Sequence, residues 1–63
     1  MPIITAHILE GRTAEQKTDL IRALTDAAVK TLGVPVESVR VIVTTMGKDE
    51  YGIGGKTARE LGR

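Results

Sequence analysis

The sequence predicts an α+β chain built on one short β-α-β unit, with a parallel two-stranded sheet, one long helix and a short C-terminal hairpin. Three observations lead there. Two runs rich in β-branched residues stand near positions 2–9 and 37–46, a helical repeat fills the stretch between them, and five of the seven glycines gather after residue 46. Strand, long helix, strand makes a parallel pair with a right-handed crossover the expected connection.

The first strand is read over Pro2 to Leu9, "PIITAHIL". Alternation places Ile4, Ala6 and Ile8 on one face and Ile3, Thr5, His7 and Leu9 on the other. Pro2 suits a strand start, because its missing N–H costs the ladder nothing there. "TAEQ" (Thr13 to Gln16) has the form of a capping box, in which Thr13 caps the amide three residues on and Gln16 reaches back. Leu20, Ile21, Leu24, Ala27, Ala28, Thr31 and Leu32 then follow a helical stripe. Lys17, Asp19, Arg22, Asp26 and Lys30 hold the outer side, with Asp26 and Lys30 as a favourable pair four apart. Gly33 suits the residue after the helix, and Pro35 prevents continuation.

The second strand is read over Glu37 to Met46, with Val39, Val41 and Val43 on one face and Arg40, Ile42 and Thr44 on the other. Strands apolar on both faces are normally covered on both. One helix covers only one face of a two-stranded sheet, so the other face should meet a second copy of the chain. The tail, from Gly47, reads as turns with a hairpin through "YGIGG" and a polar, mobile end.

Bulk numbers point the same way. A chain of 63 residues is one small domain, spanning positions 1–63. It buries only about 60% of its unfolded surface and so wants disulfides, a metal or partners. There is no cysteine and one histidine, which excludes disulfides and makes a structural zinc site improbable. Oligomerisation is what remains. Nine basic against eight acidic side chains give no nucleic-acid footprint, and the single aromatic, Tyr51, offers no stacking platform. No apolar run is long enough for a membrane span, and no secretory signal is visible, so a cytoplasmic location is expected.

Few residues carry chemistry. "GGKT" suggests a phosphate loop, but the glycine required five residues before Gly55 is Glu50. A glycine-bent tail is the better reading. His7 reads as a packed or interface residue. Arg40 is read as a mid-strand cation flanked by valines. It either meets a carboxylate of a neighbouring subunit or lines an anion-binding cavity, and its planar fork suits a carboxylate in both cases. Arg12, at the entrance to the helix, is a solvated loop charge or an anion ligand helped by the helix dipole. Removal of Met1 would free the ring nitrogen of Pro2 as a secondary amine. Model α-amino groups titrate at about 7.7–8.0, and an apolar pocket or nearby arginines would lower that value. The neutral amine could act as a general base or as a nucleophile toward carbonyls.

In combination, "MPIITAHILEGRTAEQK", "SVRVIVTTM" and "YGIGG" closely resemble 4-oxalocrotonate tautomerase over nearly the whole chain. The resemblance implies a tautomerase-like fold assembling as a hexamer, a trimer of dimers. It implies a cofactor-independent isomerase with no metal, acting on a small unsaturated 2-hydroxy or 2-keto dicarboxylate, as in aromatic degradation. By the same resemblance Pro2 corresponds to the catalytic base. Arg12 holds the distal carboxylate, and Arg40 holds the other carboxylate and the 2-oxygen where charge develops. These groups come from different subunits. Tyr51 stands where the family usually has phenylalanine and would form an apolar wall with an added hydroxyl. A related branch hydrates or dehalogenates acrylates, and here it is expected as a minor activity at most. A non-catalytic subunit of a tautomerase-like oligomer is the alternative from another class.

Overall fold

The computed structural model describes all residues, Met1–Arg63. The order is β1 (Ile3–Leu9), α1 (Ala14–Leu32), a short 3-10 turn (Val36–Ser38), β2 (Arg40–Met46), β3 (Gly52–Ile53) and β4 (Lys56–Thr57). β1 and β2 pair in parallel, Ile3 opposite Arg40 through Leu9 opposite Met46. β3 and β4 form a separate antiparallel hairpin, Gly52 opposite Thr57.

Local chemistry explains α1. Thr13 accepts from the Gln16 amide at 3.1 Å, and the Gln16 side chain accepts from the Thr13 amide at 2.9 Å, so the capping box forms as expected. Gly33 closes the helix in the left-handed conformation (φ 66°), and its N–H donates to Val29. That geometry strains any residue with a Cβ. The helix carries one ion pair, Arg22 to Asp19 at 3.4 Å, in place of the expected Asp26–Lys30 pair.

Two expectations are corrected. The second strand begins at Arg40 rather than Glu37. Pro35 holds φ at −61°, the chain turns through Val36–Ser38, and Ser38 donates both its amide and its hydroxyl to the Pro35 carbonyl. Arg40 is therefore the first residue of β2, and it is exposed. The valine alternation that suggested a longer strand is cut short by the turn proline favours. The tail forms the turns and the hairpin expected of it. Beyond the hairpin, turns run to Gly62, and Ala58 is fully buried at 0% exposure. The Gly54–Gly55 pair, both at positive φ, makes the hairpin turn, so "GGKT" is bent backbone entering β4.

The sheet's two faces differ sharply. Ile4, Ala6, Ile8, Val41 and Val43 are half-buried beneath α1, while Ile3, Thr5, His7, Ile42 and Thr44 are exposed. Only Ala28 and Ala58 fall in the buried class in the single chain, and Ile3 and Ile42 are each 52% exposed. The protomer is a slab of 42 × 24 × 13 Å with a radius of gyration of 14.5 Å. A compact chain of this length would have a radius of about 11 Å. Its accessible surface is 4627 Å², against about 3900 Å² for a compact monomer of this mass. This is the shape of a piece of a larger assembly, with its bare sheet face as a ready contact surface. On α1, Ile21 and Leu32 of the apolar stripe also remain exposed, a second apolar surface.

Candidate active site

The strand pair has two ends, and the four candidate residues divide between them. Pro2 and Arg40 stand where both strands begin. The Arg40 amide donates to the Pro2 carbonyl at 3.0 Å, which fixes the two backbones side by side. The Arg40 guanidinium turns along the surface, and its Nη1 donates to the Glu37 carbonyl at 2.9 Å. The residue is exposed, and the other N–H groups of its guanidinium make no hydrogen bond within the chain. Pro2 is half-buried, and its nitrogen is bonded to Met1, whose amino group donates to the Ser38 carbonyl at 2.6 Å.

Arg12 and Tyr51 stand at the opposite end. Seven residues of β1, Ile3–Leu9, rise about 20 Å at roughly 3.3 Å per residue. That is several times the reach of an arginine side chain. Arg12 leaves the end of β1 and lines two adjoining clefts. One, of about 210 Å³, lies against α1 with Ile8, Gln16, Lys17 and Leu20. The other, of about 410 Å³, is bounded by Glu10, Lys48 and Arg63 among others. Three of its lining residues are cationic and one is anionic, which favours a negatively charged ligand.

Tyr51 reaches the same end through the tail. Its carbonyl accepts from the Ala58 amide at 2.8 Å, the next amide, Arg59, donates to Lys48 at 3.2 Å, and the Lys48 amide donates to Glu10 at 3.2 Å. Glu10 lies two residues before Arg12. Tyr51 is 37% exposed in the single chain.

Thus one chain brings Pro2 beside Arg40 in the backbone and Arg12 into the same region as Tyr51, but holds the two pairs apart. A site that uses both pairs requires a second copy. His7 lies midway along β1 on the bare sheet face, opposite Thr44, and belongs to that contact surface.

Sequence reasoning missed a cluster at the Arg12 end. Arg59 Nε donates to Asp49 Oδ1 at 2.7 Å, and its Nη2 lies 3.9 Å from Glu10 Oε1. The hydrogen bond that Arg59 donates to Asp49, and then the charge of Asp49, raise the Arg59 guanidinium above its ordinary pKa. No spacing in the sequence announces this cluster, because its three members come from a strand end, a turn and the tail.

The comparisons follow the fold. The family model described as "Tautomerase enzyme" matches residues 2–60. The chain is 52% identical to a 2-hydroxymuconate tautomerase of Stutzerimonas stutzeri and 51% identical to one of Pseudomonas putida, over 100% of both chains in each case. Among solved structures, TomN, a 4-oxalocrotonate tautomerase homologue of the tomaymycin biosynthetic pathway, superposes with a TM-score of 0.91 at 44% identity, covering 94% of this chain and 91% of that one. A heterohexamer 4-oxalocrotonate tautomerase from Chloroflexus aurantiacus gives 0.90 at 38% identity, covering 97% and 98%. With a parallel β-α-β unit, a C-terminal hairpin and matches that run from end to end, this chain belongs to the tautomerase enzyme family.

Proposed function

We propose that the chain is a cofactor-independent 2-hydroxymuconate tautomerase, working in the cytoplasm as a homohexamer on a small unsaturated 2-hydroxy dicarboxylate. The observation that carries this is the identity of about half of all positions, over full length, with curated 2-hydroxymuconate tautomerases. The arrangement of the candidate residues supports it.

In this reading Met1 is removed and the Pro2 nitrogen becomes a secondary amine at the start of a half-buried strand. Cationic and apolar groups brought beside it in the assembly would disfavour its protonated form, leaving it available as a base. It takes the proton of the 2-hydroxyl group and returns it at the far carbon of the diene, giving the conjugated ketone. Negative charge develops on the 2-oxygen during the first transfer. A guanidinium from Arg40, fixed before the reaction starts, stabilises that charge without reorganising. Arg12, arriving from another copy, holds the distal carboxylate through its paired N–H groups. Tyr51 closes the apolar side of the diene, and its hydroxyl remains free for a hydrogen bond.

The test is ketonisation of 2-hydroxymuconate followed by ultraviolet absorbance, with intact mass establishing whether Met1 is present. The native protein should far exceed the buffer rate. Pro2→Ala and Arg40→Ala should each lose on the order of 100-fold or more in kcat/KM. A native rate equal to buffer, or variants at full rate, would sink the proposal.

A second reading is favoured by one observation, the heterohexameric neighbour. In that reading this chain is one subunit type of a mixed oligomer and completes its site only with a different partner. Purified alone, it would then be inactive with Met1 removed and Pro2 exposed.

A further inference from the structure

The hairpin that carries Tyr51 has little to hold it in place. β3 and β4 are two residues each, and a ladder that short is not stable on its own. It is anchored by the chain on either side. Arg59 bonds through both backbone and side chain: its amide to Lys48 at 3.2 Å, its Nε to Asp49 at 2.7 Å, and its Nη2 toward Glu10 at 3.9 Å. Glu10 completes the circuit by accepting from the Lys48 amide at 3.2 Å. Asp49 lies two residues before Tyr51, and Glu10 two before Arg12. One guanidinium therefore ties the segment bearing the aromatic wall to the segment bearing the cation.

We infer that Arg59 is a positioning residue, which through Asp49 and Glu10 sets the Arg12–Tyr51 side of the site and so the affinity for the distal carboxylate. This deepens the proposed function and rests on it for substrate. A guanidinium can serve two carboxylates at once through separate N–H groups, whereas an ammonium acts as a point charge. Arg59, Asp49 and Glu10 have side chains 60%, 60% and 47% exposed, so each bridge is weak and screened by salt. Loss of Arg59 should shift binding severalfold and leave proton transfer intact.

Tyr51 is the only aromatic residue, so its fluorescence reports its surroundings without any turnover. The experiment compares native protein with Arg59→Met, Asp49→Asn and the double variant, each confirmed to assemble by sedimentation. Asp49→Asn serves alone if Arg59→Met does not assemble. The expected result is a rise of about fivefold in KM for 2-hydroxymuconate with kcat within about twofold, the size of effect an exposed charge pair supports. Acrylamide quenching of Tyr51 should rise in step, and the double variant should be no worse than Arg59→Met, since the two share one contact. A role confined to stability would lower the melting temperature and leave KM and quenching where they are, which would overturn the inference. So would additive effects of the two substitutions. If the native protein ketonises nothing, the proposed function fails separately, and Tyr51 quenching alone decides whether Arg59 sets the wall.

Discussion

At the end of the strand pair where β1 begins, position is set by backbone. Pro2 and Arg40 are joined by a ladder hydrogen bond, and Ile3, the residue after Pro2, stands in register with Arg40. At the other end, about 20 Å away at strand rise, Arg12 and Tyr51 depend on a connector, a turn and exposed side-chain bridges. A ladder is insensitive to the identity of most side chains along it. A clamp of exposed charges is not. The chemistry proposed for the first end tolerates little displacement, since a base must stand within hydrogen-bond reach of its proton. The second end only has to recognise a carboxylate, and it is built from parts that substitutions can retune. Substrate preference is thus expected to vary through the tail and the connector, and the proton-transfer step through Pro2 and Arg40.

The largest expected effect comes from keeping the two ends apart. Ile42→Asp puts a charge on the bare sheet face, where assembly would have to desolvate it at a cost of several kcal/mol. The variant should sediment as a monomer and lose all measurable ketonisation, because no single chain brings the two pairs together. A monomeric variant that still turns over would break the comparison outright.

A sharper version mixes two inactive chains. Pro2→Ala supplies intact Arg12, and Arg12→Ala supplies intact Pro2. After co-refolding at equal amounts, about a quarter of sites should draw both intact residues by random assortment around a symmetric oligomer, and activity should return to that extent. No recovery in properly assembled mixed oligomers would mean that both ends serve one site from one chain.

The smallest effect probes the connector. Thr13→Ala removes the cap beside Arg12 and should cost about 1 kcal/mol of stability, read as a lower urea midpoint with unchanged slope. An unchanged midpoint would show that assembly contacts, and not the capping box, hold the entrance of α1.

Much of this was legible in the residues themselves. Thr13, Gln16 and Gly33 act within a few positions of one another, so their pattern in the sequence is already their structure. The alternation Ile4, Ala6, Ile8 against Ile3, Thr5, His7 maps directly onto the covered and bare faces. Arg40 stands at the start of β2 and not within it because Pro35 sets a turn that valine alternation does not reveal: the turn at Val36–Ser38 takes Glu37 and Ser38 from the expected strand, and Val39 caps it. The separation of Pro2 from Arg12 follows from strand rise alone. The Arg59 cluster is different in kind. Its members, Glu10, Asp49 and Arg59, are far apart in sequence and meet only after the strands pair and the tail turns back, so no local pattern encodes them.

A slab 13 Å thick with half its sheet bare has a consequence for how the protein's abundance matters. Where folding and association are one process, stability depends on total protein concentration. Each dilution moves chains from a state with complete sites to one with none, so specific activity falls on dilution instead of remaining constant. A cell making this protein obtains catalysis above a threshold of expression. Below that threshold it holds chains without complete sites, and turnover per chain is then a property of the population and not of the molecule.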